Sequence, residues 1–406
     1  MNKKRDELIT LALLIFNWKV ILFLVSYGAS LVLEYKPSFP YPKELTLFGF
    51  HRWLYSWANF DGVHYLTIAK KGYLGTGLIQ AFFPVYPFLI KMVDASHNIL
   101  LTGFLISNFF SIVFMVLFYF LLKEFFSHQK SLIIIVIFMF FPTSFFLGAF
   151  YTESLFLSLV AGAFLAAHKK KWWLAGILAA VASATRIVGI VLVPALLIEF
   201  FYPYSFSLQK LQGELRSKRK YPGVKTINFK EKIWSLRKFI NLSWIAVGSL
   251  GLLFYMFYLN KTFGDPIYFF HVQSEFGGIR QETLIPYPQV VWRSLKVLWT
   301  ARPFDFRYLT YIQEFLAGTL GLVLILWGFT KKIKLSYLMF ALGIFFLPPL
   351  TGTFSSMPRY ILVCFPIFIV LADLLKNKKA LYTFLGISGV LLVINLILFI
   401  QGYWVA

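Results

Sequence analysis

The sequence predicts an all-α, polytopic membrane protein. Of its 406 residues, 59% are hydrophobic and only 14% are charged, and the mean hydropathy is +0.73. A soluble domain is closer to half apolar and a quarter charged. Apolar runs of about 17 to 25 residues recur from end to end, which is the length that a helix needs to cross a bilayer. We therefore expect one integral-membrane domain over residues 1–406, with about 11 transmembrane helices.

The formal net charge of +22 is explained by the position of the basic residues. In a soluble protein such a charge would indicate nucleic-acid binding. Here the Lys and Arg residues lie in short loops between apolar runs, as the positive-inside rule requires of cytoplasmic loops. The loop 203–240 carries ten basic residues against two acidic ones. We expect that loop and the N-terminus with Lys3, Lys4 and Arg5 to be cytoplasmic, membrane lipid to be a partner, and nucleic acid not to be one.

The order of the apolar runs gives a topology. Residues 9–33 predict an uncleaved first span, which places 34–98 as a first outer loop, and 261–310 as a second large outer loop. Residues 81–93 contain two prolines and are too short to cross, so they indicate a re-entrant or interfacial segment. Residues 172–202 predict two short helices that meet at Arg186. The other predicted crossings are 100–122, 131–147, 152–167, 241–260, 311–329, 335–350, 359–374 and 381–402.

The most polar stretch of the N-terminal half is WANFDGVHY in the first outer loop. If a helix begins at Asp61, spacings of three and four place Asp61, His64 and Tyr65 on one face. A carboxylate and an imidazole together at an outer membrane surface favour a catalytic loop. The alternative is that Asp61 is an N-cap on an amphipathic interfacial helix.

Three further ionisable residues are candidates for substrate binding. Arg186 is flanked by apolar helix on both sides, which is costly unless it faces a cavity or an anion; the alternative is an arginine that snorkels to the interface. Arg359 begins a span beside a proline, where arginine is common. Glu153 also begins a span from outside, where an acid in the first turn of a helix is ordinary. Two outer arginines suit a phosphate-bearing substrate.

Several motifs are absent from the sequence. It contains no GxxxxGK[ST] loop, no GxGxxG after a strand, no HExxH and no Cys/His cluster. It also lacks an Asp-x-Asp pair of the kind that holds a metal-bound nucleotide sugar. No metal site is predicted, although a divalent metal stays possible. A soluble nucleotide donor is disfavoured. The single Cys364 lies in an apolar run and should pack as a small hydrophobe.

The stretch WANFDGVHYLTIAKKGY, followed by AFFPVYPFLIK, resembles the signature of the PIG-V type of mannosyltransferases of GPI-anchor assembly and their prokaryotic relatives. The segments FFPTSFFLGAFYTESLFLSL, SATRIVGIVL and SMPRYILVCFPIF are similar to later parts of that family. Phe60 stands where the family usually has tryptophan, and 203–310 matches poorly. The resemblance implies a GT-C-type bundle, a polyprenyl-phosphate sugar donor, inversion at the anomeric carbon, and an essential outer-loop acid, which by position is Asp61.

The chemistry agrees with that resemblance. Displacement of a polyprenyl phosphate needs no general acid, because phosphate is already a good leaving group, and one base suffices for the acceptor hydroxyl. A glycosidase would need two carboxylates. We therefore expect Asp61 as general base, His64 and Tyr65 positioning acceptor or sugar, Glu153 in substrate binding, and Arg186 and Arg359 on phosphate. The acceptor would be a glycolipid or a glycan, and transfer would occur on the outer or lumenal face.

Two other function classes stay open at this stage. Broken spans and mid-chain arginines also occur in transporters and in flippases for lipid-linked saccharides. A transporter should place ionisable residues near the midplane of several spans, whereas most charges here lie at span ends. A non-catalytic assembly subunit is the third possibility, and the presence of Asp61 argues against it.

Overall fold

The computed structural model describes residues 2–95, 97–203, 236–275, 280–303, 305–331 and 333–406. Over these residues it is all-helical, without β-strands. The α-helices are α1 Asn2–Val32, α2 Lys43–Thr46, α3 Arg52–Tyr55, α4 Asp61–Lys71, α5 Val85–Val93, α6 Ile99–Lys123, α7 His128–Met139, α8 Glu153–His168, α9 Trp172–Ser183, α10 Leu192–Phe201, α11 Leu236–Val247, α12 Leu250–Phe263, α13 Tyr268–Glu275, α14 Tyr287–Thr300, α15 Phe306–Gly328, α16 Leu335–Phe346, α17 Met357–Val363, α18 Pro366–Leu374 and α19 Lys378–Ile400. Most of the predicted basic loop, 204–235, lies outside the described residues.

Four helices in the described ranges are long and apolar enough to cross a membrane: α1 from Arg5 onward, α6, α15 and α19. Two bent helix pairs, α11 with α12 and α17 with α18, raise the number to six if each pair is one span. The helices α7, α8 and α9 are apolar but shorter. The chain therefore has the helical, membrane-compatible character that the sequence predicts.

The apolar run at 359–374, predicted as one simple crossing, is broken instead. Its two halves, α17 and α18, meet at an angle of 87°. Pro366 begins the second half, and proline both lacks the N–H for the preceding turn and clashes with it. Cys364 lies in this break, fully buried, with its Sγ 3.5 Å from the Ala341 carbonyl oxygen. It packs as the small hydrophobe that the sequence predicts.

Two interruptions of apolar runs that the sequence does predict are confirmed. The run 172–202 divides into α9 and a second helical stretch, a 3₁₀ turn at Ile187–Val191 that continues into α10, and Arg186 lies between them. The segment 81–93 forms only the nine-residue α5, which is too short to cross a bilayer. The two breaks bring helix ends together: the Val85 N–H at the start of α5 donates to the Ala184 carbonyl oxygen just after α9.

The most deeply buried helix is α8, which packs against α6 and α9. Nearly all of its residues are buried. The sequence of α8, ESLFLSLVAGAFLAAH, is rich in Ala, Ser and Gly, which let neighbouring helices approach closely where hydrophobic driving force between helices is weak. Because α8 is central, its first residue, Glu153, and its last, His168, mark two opposite ends of the bundle.

Ion pairs connect helices at the His168 end. The Lys123 ammonium at the end of α6 lies 3.1 Å from the Glu7 carboxylate near the start of α1. Lys130 in α7 lies 2.7 Å from Asp373 in α18. These contacts join helix ends that the predicted topology assigns to one side of the membrane.

A buried polar cluster lies at the same end. Lys334, just before α16, donates to the Glu199 carboxylate of α10, and Ser336 donates to it as well. His168 Nε2 is 2.9 Å from Lys334 Nζ and 3.0 Å from the Tyr337 hydroxyl. Since lysine can only donate, Nε2 is the accepting nitrogen of a neutral imidazole. Three helices are thus joined by one network.

We predict that Lys334→Met destabilises the fold by about 3–5 kcal/mol, because it leaves the Glu199 carboxylate buried without its cation. The exposed Lys376→Met is the matched control and should change stability little. Thermal unfolding of the purified protein in detergent measures both. Equal melting temperatures for the two variants would contradict a stabilising role for the cluster.

Candidate active site

The helix α4 begins at Asp61, as predicted, and a strained residue precedes it. Phe60 has φ 59° and ψ −116°, the conformation of the first central residue in a type II′ turn, where glycine dominates. The Gly62 N–H closes this turn on the Asn59 carbonyl oxygen. For a residue such as phenylalanine this backbone costs about 1–3 kcal/mol and persists only where the surroundings enforce it.

The surroundings that hold this turn come from distant segments. Asn59 is buried, donates from Nδ2 to the Phe399 carbonyl oxygen at 2.7 Å, and accepts at Oδ1 from the Tyr35 hydroxyl at 2.9 Å. The Tyr151 hydroxyl donates to the Asn59 carbonyl oxygen at 2.8 Å and accepts from the Asp61 N–H at 3.2 Å. The side chain of Phe60 is not a cap, and Asp61 is the first helical residue rather than the N-cap.

The Asp61 carboxylate is held by an arginine nearly 300 residues away. Arg359 Nη1 donates to Asp61 Oδ2 at 2.8 Å. The Arg359 side chain is only 6% exposed, whereas 18% of the Asp61 side chain is exposed. The guanidinium lies against the rings of Phe146 and Tyr151, 4.8 and 4.7 Å from their centroids. The sequence places Arg359 at an outer surface; in the structure it is buried and points at Asp61.

Glu153 is the centre of the cluster and is fully buried. Its Oε1 accepts from Arg359 Nε at 3.1 Å, from Arg359 Nη2 at 2.8 Å and from Arg186 Nη1 at 2.7 Å. Arg186 Nη1 also lies 3.0 Å from the Thr152 hydroxyl. Glu153 Oε2 is buried and has no hydrogen-bond partner among the described residues. One carboxylate oxygen therefore orients both guanidinium groups.

Tyr65 and His64 differ in their relation to this cluster. Tyr65 is buried, and its ring lies edge-on to those of Phe82 and Tyr86, with centroids 5.1 and 5.3 Å away. The charges of Arg186, Asp61 and Glu153 act on its hydroxyl. His64 stacks on Phe82, with ring centroids 4.9 Å apart. Burial lowers the pKa of His64, and the nearby Asp61 carboxylate opposes that shift. At neutral pH His64 is therefore an uncharged imidazole.

The structure thus joins Asp61, Glu153, Arg186 and Arg359 in one hydrogen-bonded cluster, with Tyr65 beside it. Sequence reasoning did not single out the residues that support this cluster. Asn59, Tyr151, Thr152 and Tyr360 are neighbours in sequence of the residues that it did select, which was the available signal. The sequence Gly264-Asp265-Pro266 is typical of a turn and forms one. Asp265 also contacts His271 at 2.6 Å.

An apolar cavity of about 430 Å³ is lined by residues of the same elements, although none of the four cluster residues lines it. It is lined by Ile68 of α4, by Pro84, Pro87 and Phe88 around α5, by Ala184 at the end of α9, and by Gly251, Phe254, Tyr255 and Tyr258 of α12, together with Gly72, Tyr73 and Lys91. The Val85 N–H donates to the Ala184 carbonyl oxygen at 3.2 Å, which ties the start of α5 to the chain just before Arg186.

Among the described residues no group of three or more His, Cys, Asp or Glu side chains could hold a metal ion. Comparisons of the chain with family models, with curated proteins and with solved structures find no match.

We predict that Glu153→Gln destabilises the protein by about 3–5 kcal/mol, because two buried guanidinium groups lose their shared counter-charge. The double variant Glu153→Gln with Arg186→Gln removes one of these charges, so it should be less destabilised than the sum of the two single variants. Thermal unfolding gives the comparison, with the exposed Glu44→Gln as control. Strict additivity of the two changes would contradict the contact.

Proposed function

We propose that the protein is an inverting glycosyltransferase that moves a sugar from a polyprenyl phosphate to a glycolipid or glycan acceptor on the outer or lumenal side of the membrane. Mannose is the sugar that the PIG-V-like resemblance suggests. The observation that carries the proposal is the partly exposed Asp61 carboxylate, held by a buried arginine at the start of α4. The same helix contributes Ile68 to the lining of an apolar cavity.

Asp61 is suited to act as the single base. Its Oδ2 is fixed by Arg359, and its Oδ1 makes no hydrogen bond to any described residue. In the proposed step, Oδ1 takes the proton of the acceptor hydroxyl while the acceptor oxygen bonds to the anomeric carbon. The bond from that carbon to the phosphate oxygen breaks, and its electron pair leaves with the polyprenyl phosphate. Atoms and charge balance without a further reactant.

The other cluster residues have supporting roles in this proposal. Glu153 is fully buried, so it acts by positioning both arginines rather than by touching substrate. Tyr65, on the same face of α4 as Asp61, would contact sugar or acceptor. His64 is uncharged and stacked on Phe82, so we assign it to shaping this wall of the site.

In this proposal the apolar cavity binds the polyprenyl chain of the donor. Its lining is aromatic and aliphatic, with Lys91 as its charged member, and it reaches Ala184, two residues from Arg186. A chain in this cavity would bring an attached phosphate towards Arg186. The segment 81–93, which the sequence predicts to be re-entrant or interfacial, supplies Pro84, Pro87 and Phe88.

The proposal includes the number of membrane crossings and the side of the membrane on which the site lies. A GT-C-type bundle with about 11 crossings requires that the shorter apolar helices, such as α7, α8 and α9, also cross. The ion pairs at the His168 end join helix ends next to the basic loops, which supports a cytoplasmic position for that end. The cluster around Asp61 lies at the other end of α8. A cytoplasmic N-terminus and an outer active site follow.

We predict that Asp61→Asn lowers the transfer rate by about 10²–10⁴-fold, because the base is lost, while donor binding and expression are retained. The assay uses membranes with radiolabelled polyprenyl-phosphate mannose. Asp305→Asn, which changes a partly exposed carboxylate paired with Arg307, is the control and should transfer normally.

Near-normal turnover in Asp61→Asn would contradict the assignment of the base. Transfer from a nucleotide sugar without a lipid carrier would contradict the donor class. Vectorial movement of a lipid-linked saccharide, without any transfer, would favour the flippase alternative.

We predict that Ala184→Phe discriminates between donors by chain length. The added ring would occupy the cavity, so KM should rise at least severalfold for a long-chain donor and much less for a donor with a truncated chain. Ile177→Phe, which enlarges an exposed residue of the same helix, is the matched control. An equal rise in KM for both donors would show that the cavity does not hold the chain.

A further inference from the structure

Arg359 has little capacity left for a substrate anion. Its Nε and Nη2 donate to Glu153 Oε1, and its Nη1 donates to Asp61 Oδ2. Three of its five N–H groups, one on each nitrogen, thus donate to carboxylates, and the side chain is buried. A phosphate that approached Arg359 would meet the two carboxylates that already contact the guanidinium, one of which is the proposed base. Arg359 is better described as a positioning residue for Asp61.

Arg186 differs from Arg359 in this respect. Only its Nη1 is engaged, with Glu153 and Thr152. Its Nε and Nη2 make no hydrogen bond within the described ranges of the chain. The guanidinium carbon lies 5.5 Å from the centroid of the Tyr360 ring. Arg186 therefore has N–H donors that an anion near Tyr360 can use.

A second arginine approaches Tyr360 from the outer segment that follows α13. The Arg280 side chain is half-buried, and its Nη1 donates to Gln273 Oε1 at 2.7 Å. The Gln281 N–H donates to the Thr351 carbonyl oxygen at 2.9 Å, which ties this segment to the turn before α17. From there Arg280 interacts with the Tyr360 side chain. The charge of Arg280 also acts on Glu314, whose Oε1 already accepts from the Ser356 N–H at 2.9 Å. Tyr360 is thus approached by two arginines from segments far apart in sequence.

The charges of the cluster explain why a second arginine is needed. Asp61 and Glu153 balance Arg186 and Arg359, so the four contacting groups carry no formal net charge. A departing phosphate monoester carries about −1.5 to −2 charges at neutral pH. Proton transfer to Asp61 leaves these four groups with a net charge of +1, which offsets only part of the phosphate charge. Arg280 supplies a further cation outside the set.

We propose that Arg186 and Arg280, which both approach Tyr360, form the site for the phosphate group of an anionic lipid, with the Tyr360 hydroxyl as an additional donor. Planar guanidinium groups suit this ligand because they donate to phosphate oxygens in pairs. The inference rests on the proposed function for the identity of the lipid as a polyprenyl phosphate. It moves phosphate binding from Arg359 to Arg280, a residue in the second outer loop.

The test is a binding measurement that does not depend on transfer. The full-length protein, in nanodiscs of neutral lipid, is titrated with a long-chain polyprenyl phosphate, with the matching uncharged polyprenol and with inorganic phosphate. Arg280→Gln and Arg186→Gln should weaken binding of the polyprenyl phosphate by roughly tenfold to a hundredfold, the usual loss for a charge-assisted hydrogen bond. Arg280→Lys should restore part of that loss, and polyprenol binding should not change.

Arg302→Gln is the matched control, because it removes the same charge from an exposed position outside the cluster, and it should bind like the wild type. If Arg186→Gln does not fold, the affinity of Arg280→Gln for polyprenyl phosphate still tests the proposed site. Wild-type affinity in Arg280→Gln, or an equal loss of polyprenol affinity, would overturn the proposal. Inorganic phosphate that binds as tightly as the lipid would overturn a lipid ligand.

The two proposals fail in different ways. A wild-type protein that does not bind polyprenyl phosphate overturns the anion site. A protein that binds the lipid through Arg280 but transfers no sugar overturns the glycosyltransferase and leaves the anion site standing.

Discussion

One carboxylate oxygen, Glu153 Oε1, determines the arrangement of this site. It accepts hydrogen bonds from two guanidinium groups in a position without solvent exposure. A buried charge is costly unless an opposite charge lies close enough to offset the lost solvation. Arg186 and Arg359 must therefore lie where Glu153 can reach both of them, and the start of α8 must meet the end of α9 and the start of α17. Asp61 is then fixed by the same Arg359.

This constraint gives Arg359 and Arg186 different roles, although the sequence alone presents them as equivalent. Arg359 faces two carboxylates and fixes the base, whereas Arg186 keeps donors available on the side of Tyr360. Asp61 retains one unengaged oxygen and partial exposure, which a base requires. The strained backbone at Phe60 is held by Asn59 and Tyr151, so rigidity at the start of α4 comes from packing elsewhere in the bundle.

The sequence predicted the features that depend on local chemistry. Apolar runs located the helices, the turn chemistry of residues 264–266 located a turn, and the polar stretch at 57–65 located the start of α4. The break at Arg186 followed from the lengths of the two half-helices. The 87° bend before Pro366 had a local signal in the proline, but a continuous apolar run concealed it. The pairing of Asp61 with Arg359 spans nearly 300 residues and follows from no local pattern. Arg280 and its approach to Tyr360 were hidden for the same reason.

The anomeric configuration of the transferred sugar tests the central claim most directly. With Asp61 as the single base and Glu153 locked on two arginines, the acceptor oxygen must displace the phosphate in one step, from the opposite face of the sugar. Analysis of the product from a donor of known configuration, by NMR coupling constants or by anomer-specific glycosidases, should therefore show inversion. Retention would require a covalent sugar–carboxylate intermediate, and it would contradict the role that we assign to Asp61.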